Sequence, residues 1–212
     1  QWYAKDGLIQ VTMDHRASGH FGKEGVNYMY HNFGYWEMKD YAAMVKWLIA
    51  NGNADPTKIC ITGFSYGGYL TCYALTYGAD MFTHGMAGGS VTDWSLYDTH
   101  YTERYMGTLA DNPDGYKSSS PLNFVNNYKG VLQIVHGVID DNVHLQNSIQ
   151  LIGKLQDAKK DFDAGTAIFI DARDAASYKF THIKGAINIP LLEAENRLKE
   201  IPTDKKIIAY CS

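Results

Sequence analysis

Apolar and polar positions along this chain alternate between a two-residue and a helical period. Leu8-Ile9-Gln10-Val11-Thr12-Met13 reads as a strand, followed by a glycine-rich loop from His15 to Gly25. From Glu37 to Asn51, apolar residues recur at Met38, Tyr41, Ala42, Val45, Leu48 and Ile49, which is helical spacing. Gly52 is placed to stop that helix. Asp55-Pro56 marks a turn. A strand is expected from Lys58 to Thr62, a helix from Gly67 to Tyr77, and a short buried strand from His84 to Gly89. Val131 to His136 is another strand, and Leu145, Ile149, Ile152 and Leu155 share one face of a helix ending near Lys160. This succession predicts an α/β fold, a three-layer α/β/α sandwich around a mostly parallel sheet.

Beyond Lys160 the texture changes. Asp161-Phe162-Asp163-Ala164-Gly165 is a polar joint. A strand (Ala167 to Ile170), a short helix near Ala175, a turn at Lys184-Gly185, a helix from Leu192 to Glu200 and a strand from Lys206 to Tyr210 follow. The chain shows no internal repeat and no low-complexity tract.

Composition narrows the function classes. The 212 residues, 45% hydrophobic and 20% charged, suffice for one or two domains with a core. The net charge is −4 and no Lys/Arg run stands out, so no nucleic-acid partner is expected. No apolar stretch approaches the roughly 20 residues needed to cross a bilayer, so no membrane partner is expected either. Gln1-Trp2-Tyr3 has no signal-peptide character, and neither compartment nor oligomeric state is written in these patterns. The three cysteines, Cys60, Cys72 and Cys211, read as buried thiols. None sits at metal-ligand spacing, and no metal or cofactor is expected.

Gly63-Phe64-Ser65-Tyr66-Gly67 lies between an expected strand and an expected helix. That context turns a common pentapeptide into a nucleophile elbow: a serine on a strained strand-to-helix turn, with glycines that let the backbone close around it. The new helix presents its N-terminus to a developing oxyanion, and the Tyr66 N–H is one donor. A serine hydroxyl needs a base oriented by an acid, in chain order Ser, Asp/Glu, His. Asp140 and Asp141 follow the strand ending at His136 and lie on the rim where parallel sheets place their sites. Either is a candidate acid, and either suits an N-cap or first helical turn.

Four blocks carry a resemblance. Gly63-Phe64-Ser65-Tyr66-Gly67-Gly68-Tyr69, Asp93-Trp94-Ser95-Leu96-Tyr97-Asp98, Tyr101-Thr102-Glu103-Arg104-Tyr105-Met106-Gly107 and His136-Gly137-x-x-Asp140-Asp141-Asn142-Val143 resemble, in order, the catalytic domain of the prolyl oligopeptidase family, dipeptidyl peptidase IV branch. The loop Asp14-His15-Arg16-Ala17-Ser18-Gly19 resembles the family's Asp-x-Arg-Gly-x-Gly, with Ala17 where glycine is usual. The resemblance covers residues 1–162 and implies an α/β-hydrolase part, incomplete here. It makes Ser65 the nucleophile, Asp140 the triad acid and Tyr66 the oxyanion donor. Val91, Trp94, Tyr97 and Tyr101 become the pocket for a proline ring at P1, with Asn142 a polar contact to substrate and Val143 part of the pocket wall. Spacing alone reads the tyrosine cluster as ordinary aromatic core. The implied substrate is a peptide with proline at the penultimate position, and the implied setting is periplasmic or extracellular.

The family's histidine follows its acid by roughly thirty residues, yet residues 165–175 hold none. Downstream of Asp140 stand His144, expected inside the helix start, and His182. The family's second oxyanion donor, a tyrosine, is expected upstream of residue 1. Turnover is therefore expected to be low.

Ile168-Phe169-Ile170-Asp171-Ala172-Arg173, His182-Ile183-Lys184-Gly185-Ala186-Ile187-Asn188-Ile189-Pro190 and Lys205-Lys206-Ile207-Ile208-Ala209-Tyr210-Cys211 resemble the front of a rhodanese domain over residues 163–212. Cys211 matches that family's catalytic cysteine, with only Ser212 after it, so a leftover thiol is expected. Asp171 and Arg173 are expected to form an ion pair and His182 to sit in a turn. Two families thus meet at 161–165, as in a chimera, and the second is expected to pack on the same sheet. Three functions compete: a proline-directed serine exopeptidase, a scaffold without catalysis, and a sulfurtransferase.

Overall fold

The computed structural model describes residue 5 and residues 7–52, 54–158, 167–171, 174–180, 186–200 and 206–210. In chain order the helices are α1 (Gly22–Val26), α2 (Tyr35–Ala50), α3 (Tyr66–Thr76), α4 (Thr99–Met106), α5 (Pro113–Ser118), α6 (Gln146–Ala158), α7 (Ala175–Phe180) and α8 (Ala194–Arg197). The strands are β1 (Cys60–Phe64), β2 (His84–Gly88), β3 (Val131–Val135), β4 (Ala167–Asp171), β5 (Ile187–Asn188) and β6 (Lys206–Tyr210).

Every strand pairing is parallel, so the expected α/β architecture stands. The strands form two sheets, ordered β1-β2-β3 and β5-β4-β6. Phe64 pairs with Gly88, and Gly88 with Val135, so the three carboxyl ends of the first sheet are level. The loops that follow these strands leave from one edge, where open parallel sheets gather their functional groups. In the second sheet Ala167 pairs with Lys206 and Asp171 with Tyr210. β6 also runs alongside β3, with Cα atoms within 8 Å.

The core forms where α3 lies on the first sheet. Residues Gly68 to Thr76 are all buried, as in a helix covered on every side. β2 makes this possible because it is small: a Cβ on Gly85 would come 2.7 Å from Leu75 and 3.1 Å from Leu132. The helix's own polar side chains turn back on the backbone, Thr71 donating to Gly67 O at 2.8 Å and Thr76 to Cys72 O at 2.9 Å.

Several expectations need correction. Leu8 to Met13 forms no strand, and Leu8, Ile9 and Val11 are exposed. Among the described residues no strand runs beside this segment, so its backbone has no ladder to join. β1 starts two residues later than expected and continues into the elbow. Cys60, on its outer edge, is exposed rather than buried, whereas Cys72 is buried. The single helix expected from Leu192 to Glu200 is broken into a 3₁₀ turn (Leu191–Glu193), α8 and a second 3₁₀ turn (Leu198–Glu200). Pro190 stands just before this stretch, and Arg197 ties it by pairing with Glu193 and Glu200. Helices α4 and α5 were not anticipated. Their caps were readable: Asp98 accepts from Tyr101 N, and Asn112 accepts from Gly115 N.

Candidate active site

Ser65 sits between β1 and α3 with φ 56° and ψ −114°, a left-handed conformation shared among described non-glycine residues only by His31 in sign of φ. Its N–H donates to Gly88 O at 2.9 Å, which pins the turn to β2, and its C=O accepts from Tyr69 N to open α3. The neighbouring glycines have separate duties. A Cβ on Gly63 would lie 2.5 Å from the Gly67 backbone, and one on Gly68 would lie 2.2 Å from Gly88 O. The first clash would push the turn open, and the second would push α3 off β2. Tyr66 is the first residue of α3, so its N–H is among those no helical carbonyl reaches.

The aromatic residues converge beside this turn. The Tyr66 and Trp94 ring centroids are 5.7 Å apart, Trp94 and Tyr97 5.9 Å, and Tyr97 and Tyr101 5.5 Å. Trp94 and Tyr101 stack at 6.3 Å with planes 19° apart. Trp94, Val91 and Val143 are buried, while Tyr97 and Tyr101 are partly open. Burial pushes the Tyr101 phenol up to about 12, so that hydroxyl stays protonated at physiological pH.

The loop after β3 closes on this box. Asp140 Oδ1 accepts from Asn142 N at 3.1 Å and Val143 N at 2.9 Å, the turn-capping arrangement. Its other oxygen lies 3.7 Å from His136 Nε2. Asn142 Oδ1 accepts from the Tyr97 hydroxyl at 3.2 Å, linking acid loop to pocket rim. Asp141 is exposed. His144 lies ahead of α6 rather than inside it, and its carbonyl accepts from Asn147 N.

Two residues missed from sequence organise this region. Asn147 is fully buried. Its Oδ1 accepts from Thr92 N at 2.9 Å and Asp93 N at 3.1 Å, and its Nδ2 donates to His144 O. One amide thus clamps the loop bearing Val91 and Trp94 to the start of α6. His136 is also buried, with Nε2 2.7 Å from Val143 O and Nδ1 2.6 Å from Ser148 Oγ. A carbonyl only accepts, so Nε2 carries the proton and Nδ1 receives the Ser148 hydroxyl. Both nitrogens are spent, which makes His136 a brace for the acid loop. Neither role has a local sequence signal, since each partner is remote or backbone.

The structure therefore brings together Ser65, Tyr66, the aromatic box, Asn142 and Val143, with Asp140 on the same rim. No imidazole hydrogen-bonds to Ser65 among the described residues. Among the described residues, histidine hydrogen bonds go elsewhere: His84 to Thr83, His100 to Arg104, and His136 as above. Among the described residues no cluster of His, Cys, Asp or Glu would hold a metal ion. Asp171 ends β4, while Arg173, His182 and Cys211 lie outside the described residues.

Comparison with known proteins agrees with this geometry. Residues 1–173 match the prolyl oligopeptidase family, and residues 154–212 match the rhodanese-like domain. The probable dipeptidyl-aminopeptidase B of Talaromyces marneffei is 42% identical over 151 residues, 70% of this chain and 17% of that protein. Its counterpart in Penicillium rubens is 38% identical over 178 residues, 83% of this chain and 20% of that protein. This chain thus spans a fifth or less of the length of these relatives. Among solved structures, dipeptidyl peptidase 4 of Porphyromonas gingivalis superposes with a TM-score of 0.66 at 40% identity, over 68% of this chain and 21% of that one. A Bacteroides ovatus protein described as a dipeptidyl aminopeptidase IV gives a TM-score of 0.68 at 25% identity, over 93% of this chain and 22% of that one. With the elbow, the aromatic box and the match over residues 1–173, the chain belongs to the prolyl oligopeptidase family of serine peptidases.

Proposed function

We propose that this chain carries the nucleophile and P1 pocket of a dipeptidyl-type serine peptidase that cuts after a penultimate proline. The observation that carries this reading is the strained Ser65 elbow opening beside the Trp94–Tyr97–Tyr101 box on one edge of the sheet. A proline ring is flat, apolar and short, which suits an aromatic slot with few polar groups. Ser65 Oγ attacks the carbonyl carbon, and the carbonyl π pair moves onto oxygen, facing the Tyr66 N–H. Collapse expels the amine, which takes up the proton released by the Ser65 hydroxyl through solvent, and leaves an acyl-enzyme on Ser65, which water then hydrolyses.

The hydroxyl proton needs an acceptor. The family resemblance makes Asp140 the acid that orients an imidazole, but residues 165–175 contain no histidine. Without an imidazole at Ser65, attack relies on water as base, and the residual catalysis of oxyanion stabilisation and binding is on the order of 10³–10⁴ over solution. The test is release of p-nitroaniline from Gly-Pro-p-nitroanilide. Slow release that Ser65→Ala abolishes and added imidazole accelerates is the expected result. A rate indifferent to Ser65→Ala would overturn the reading in favour of a scaffold without catalysis.

A further inference from the structure

Glu37 stands in the first turn of α2 and is 0% exposed. A first-turn acid ordinarily faces water and favours the positive end of its helix. This one points inward: Oε1 accepts the Tyr66 hydroxyl hydrogen bond at 2.6 Å, across 29 residues of chain. Its Oε2 is buried with no hydrogen-bond partner among the described residues. Leaving a carboxyl oxygen so is costly, and a leucine facing a phenylalanine would fill the same space more cheaply. Phe33, Tyr66, Tyr69 and Trp94 pack ring to ring, with Tyr66 5.5 Å from Phe33 and 5.3 Å from Tyr69.

Tyr66 is the residue after the nucleophile, and its ring is also a neighbour of Trp94 in the box. Its backbone end is fixed by the elbow and its far end by Glu37. Displacement of this ring would shift one wall of the aromatic box and, pulling through the Tyr66 Cα, strain the turn that carries the N–H offered to the oxyanion. We propose that Glu37 is a positioning residue for Ser65, acting through the Tyr66 hydroxyl to hold the oxyanion donor and the pocket wall in register. The inference rests on reading Ser65 as the nucleophile. The upward displacement of the Tyr66 phenol, caused by burial and then by Glu37, agrees with a hydroxyl that stays a donor.

The test compares Glu37→Leu, Glu37→Gln, Tyr66→Phe and the Glu37→Leu/Tyr66→Phe pair with the unmodified chain. The readouts are the rate of Ser65 labelling by a fluorophosphonate and the ring-carbon NMR resonance of Tyr66 labelled at Cζ. Glutamine keeps an acceptor, so labelling should stay within about threefold, whereas leucine should slow it about tenfold by loosening the geometry. Tyr66→Phe should match Glu37→Leu, and the pair should be no slower than either alone. A folded Glu37→Leu chain that labels at the unmodified rate, or a glutamine variant as slow as leucine, overturns the proposal. Should leucine prevent folding, Tyr66→Phe decides: an unchanged labelling rate overturns it. Should the unmodified chain fail to label, the nucleophile reading fails by itself. The resonance then decides: a shift in Glu37→Leu but not in Glu37→Gln supports the positioning contact, and no shift in Glu37→Leu overturns it.

Discussion

Ser65 pays for its place in backbone strain. A left-handed φ of 56° with ψ −114° suits glycine and costs a serine about 1–3 kcal/mol. The neighbouring contacts impose it, because the Ser65 N–H must reach Gly88 O while the chain reverses into α3. Two inactive variants separate strain from chemistry. Ser65→Gly should unfold at a higher temperature than Ser65→Ala, by about 1 kcal/mol of stability, since only glycine relaxes there. Calorimetry on both reads the difference, and equal midpoints would mean the turn is not strained. The elbow was legible because it is local: five residues between a strand and a helix specify it. Glu37, Asn147 and His136 were not, since their partners lie 29, 55 and 12 residues away and no periodicity encodes such meetings.

At the scale of elements, the packing of α3 on β2 sets the site. Gly68 faces Gly88 O, and an added methyl would stand 2.2 Å from that oxygen and 2.5 Å from Ser90 Oγ. The Ser90 hydroxyl can rotate away, but the Gly88 backbone cannot yield without moving β2. Gly68→Ala should therefore cost roughly 2–3 kcal/mol, an overpacking penalty, and displace Ser65 with the helix. Urea unfolding measures it; a midpoint within error of the unmodified chain would show that α3 has slack. Most elements were legible from their periods, α2, α3, β2, β3, α6 and β6 among them. Failures had physical causes. Leu8 to Met13 has a strand's composition without a neighbour to pair with. The tyrosines of 97–105 read as core, and Tyr97, Tyr101 and Tyr105 do pack, partly buried, against it.

For the molecule as a whole, buried phenols tie stability to pH. Burial raises Tyr66, Tyr69, Tyr73, Tyr101 and Tyr128 above the ordinary phenol value of about 10. An unfolded chain ionises these groups near that value, and the folded chain resists. Their contribution is thus intact below about pH 10 and is lost as pH rises toward the folded values. Phenolate absorbance should lag and then jump cooperatively with unfolding above pH 10; a smooth titration of all tyrosines would contradict this. The same scale holds the meeting of two families. The chain matches one over residues 1–173 and another over 154–212, and β6 of the second runs alongside β3 of the first. The two strands nonetheless belong to separate sheets, so proximity of β6 to β3 does not make the second segment part of the first sheet.

What remains central is whether Ser65 is a nucleophile in this chain. A fluorophosphonate probe phosphonylates a serine hydroxyl with loss of fluoride, so it needs neither protonation of a leaving amine nor deacylation. Mass spectrometry of the labelled, folded protein should find one modification, on the peptide containing Ser65, absent after Ser65→Ala. A folded chain that takes no label, or whose labelling survives Ser65→Ala, would contradict the account.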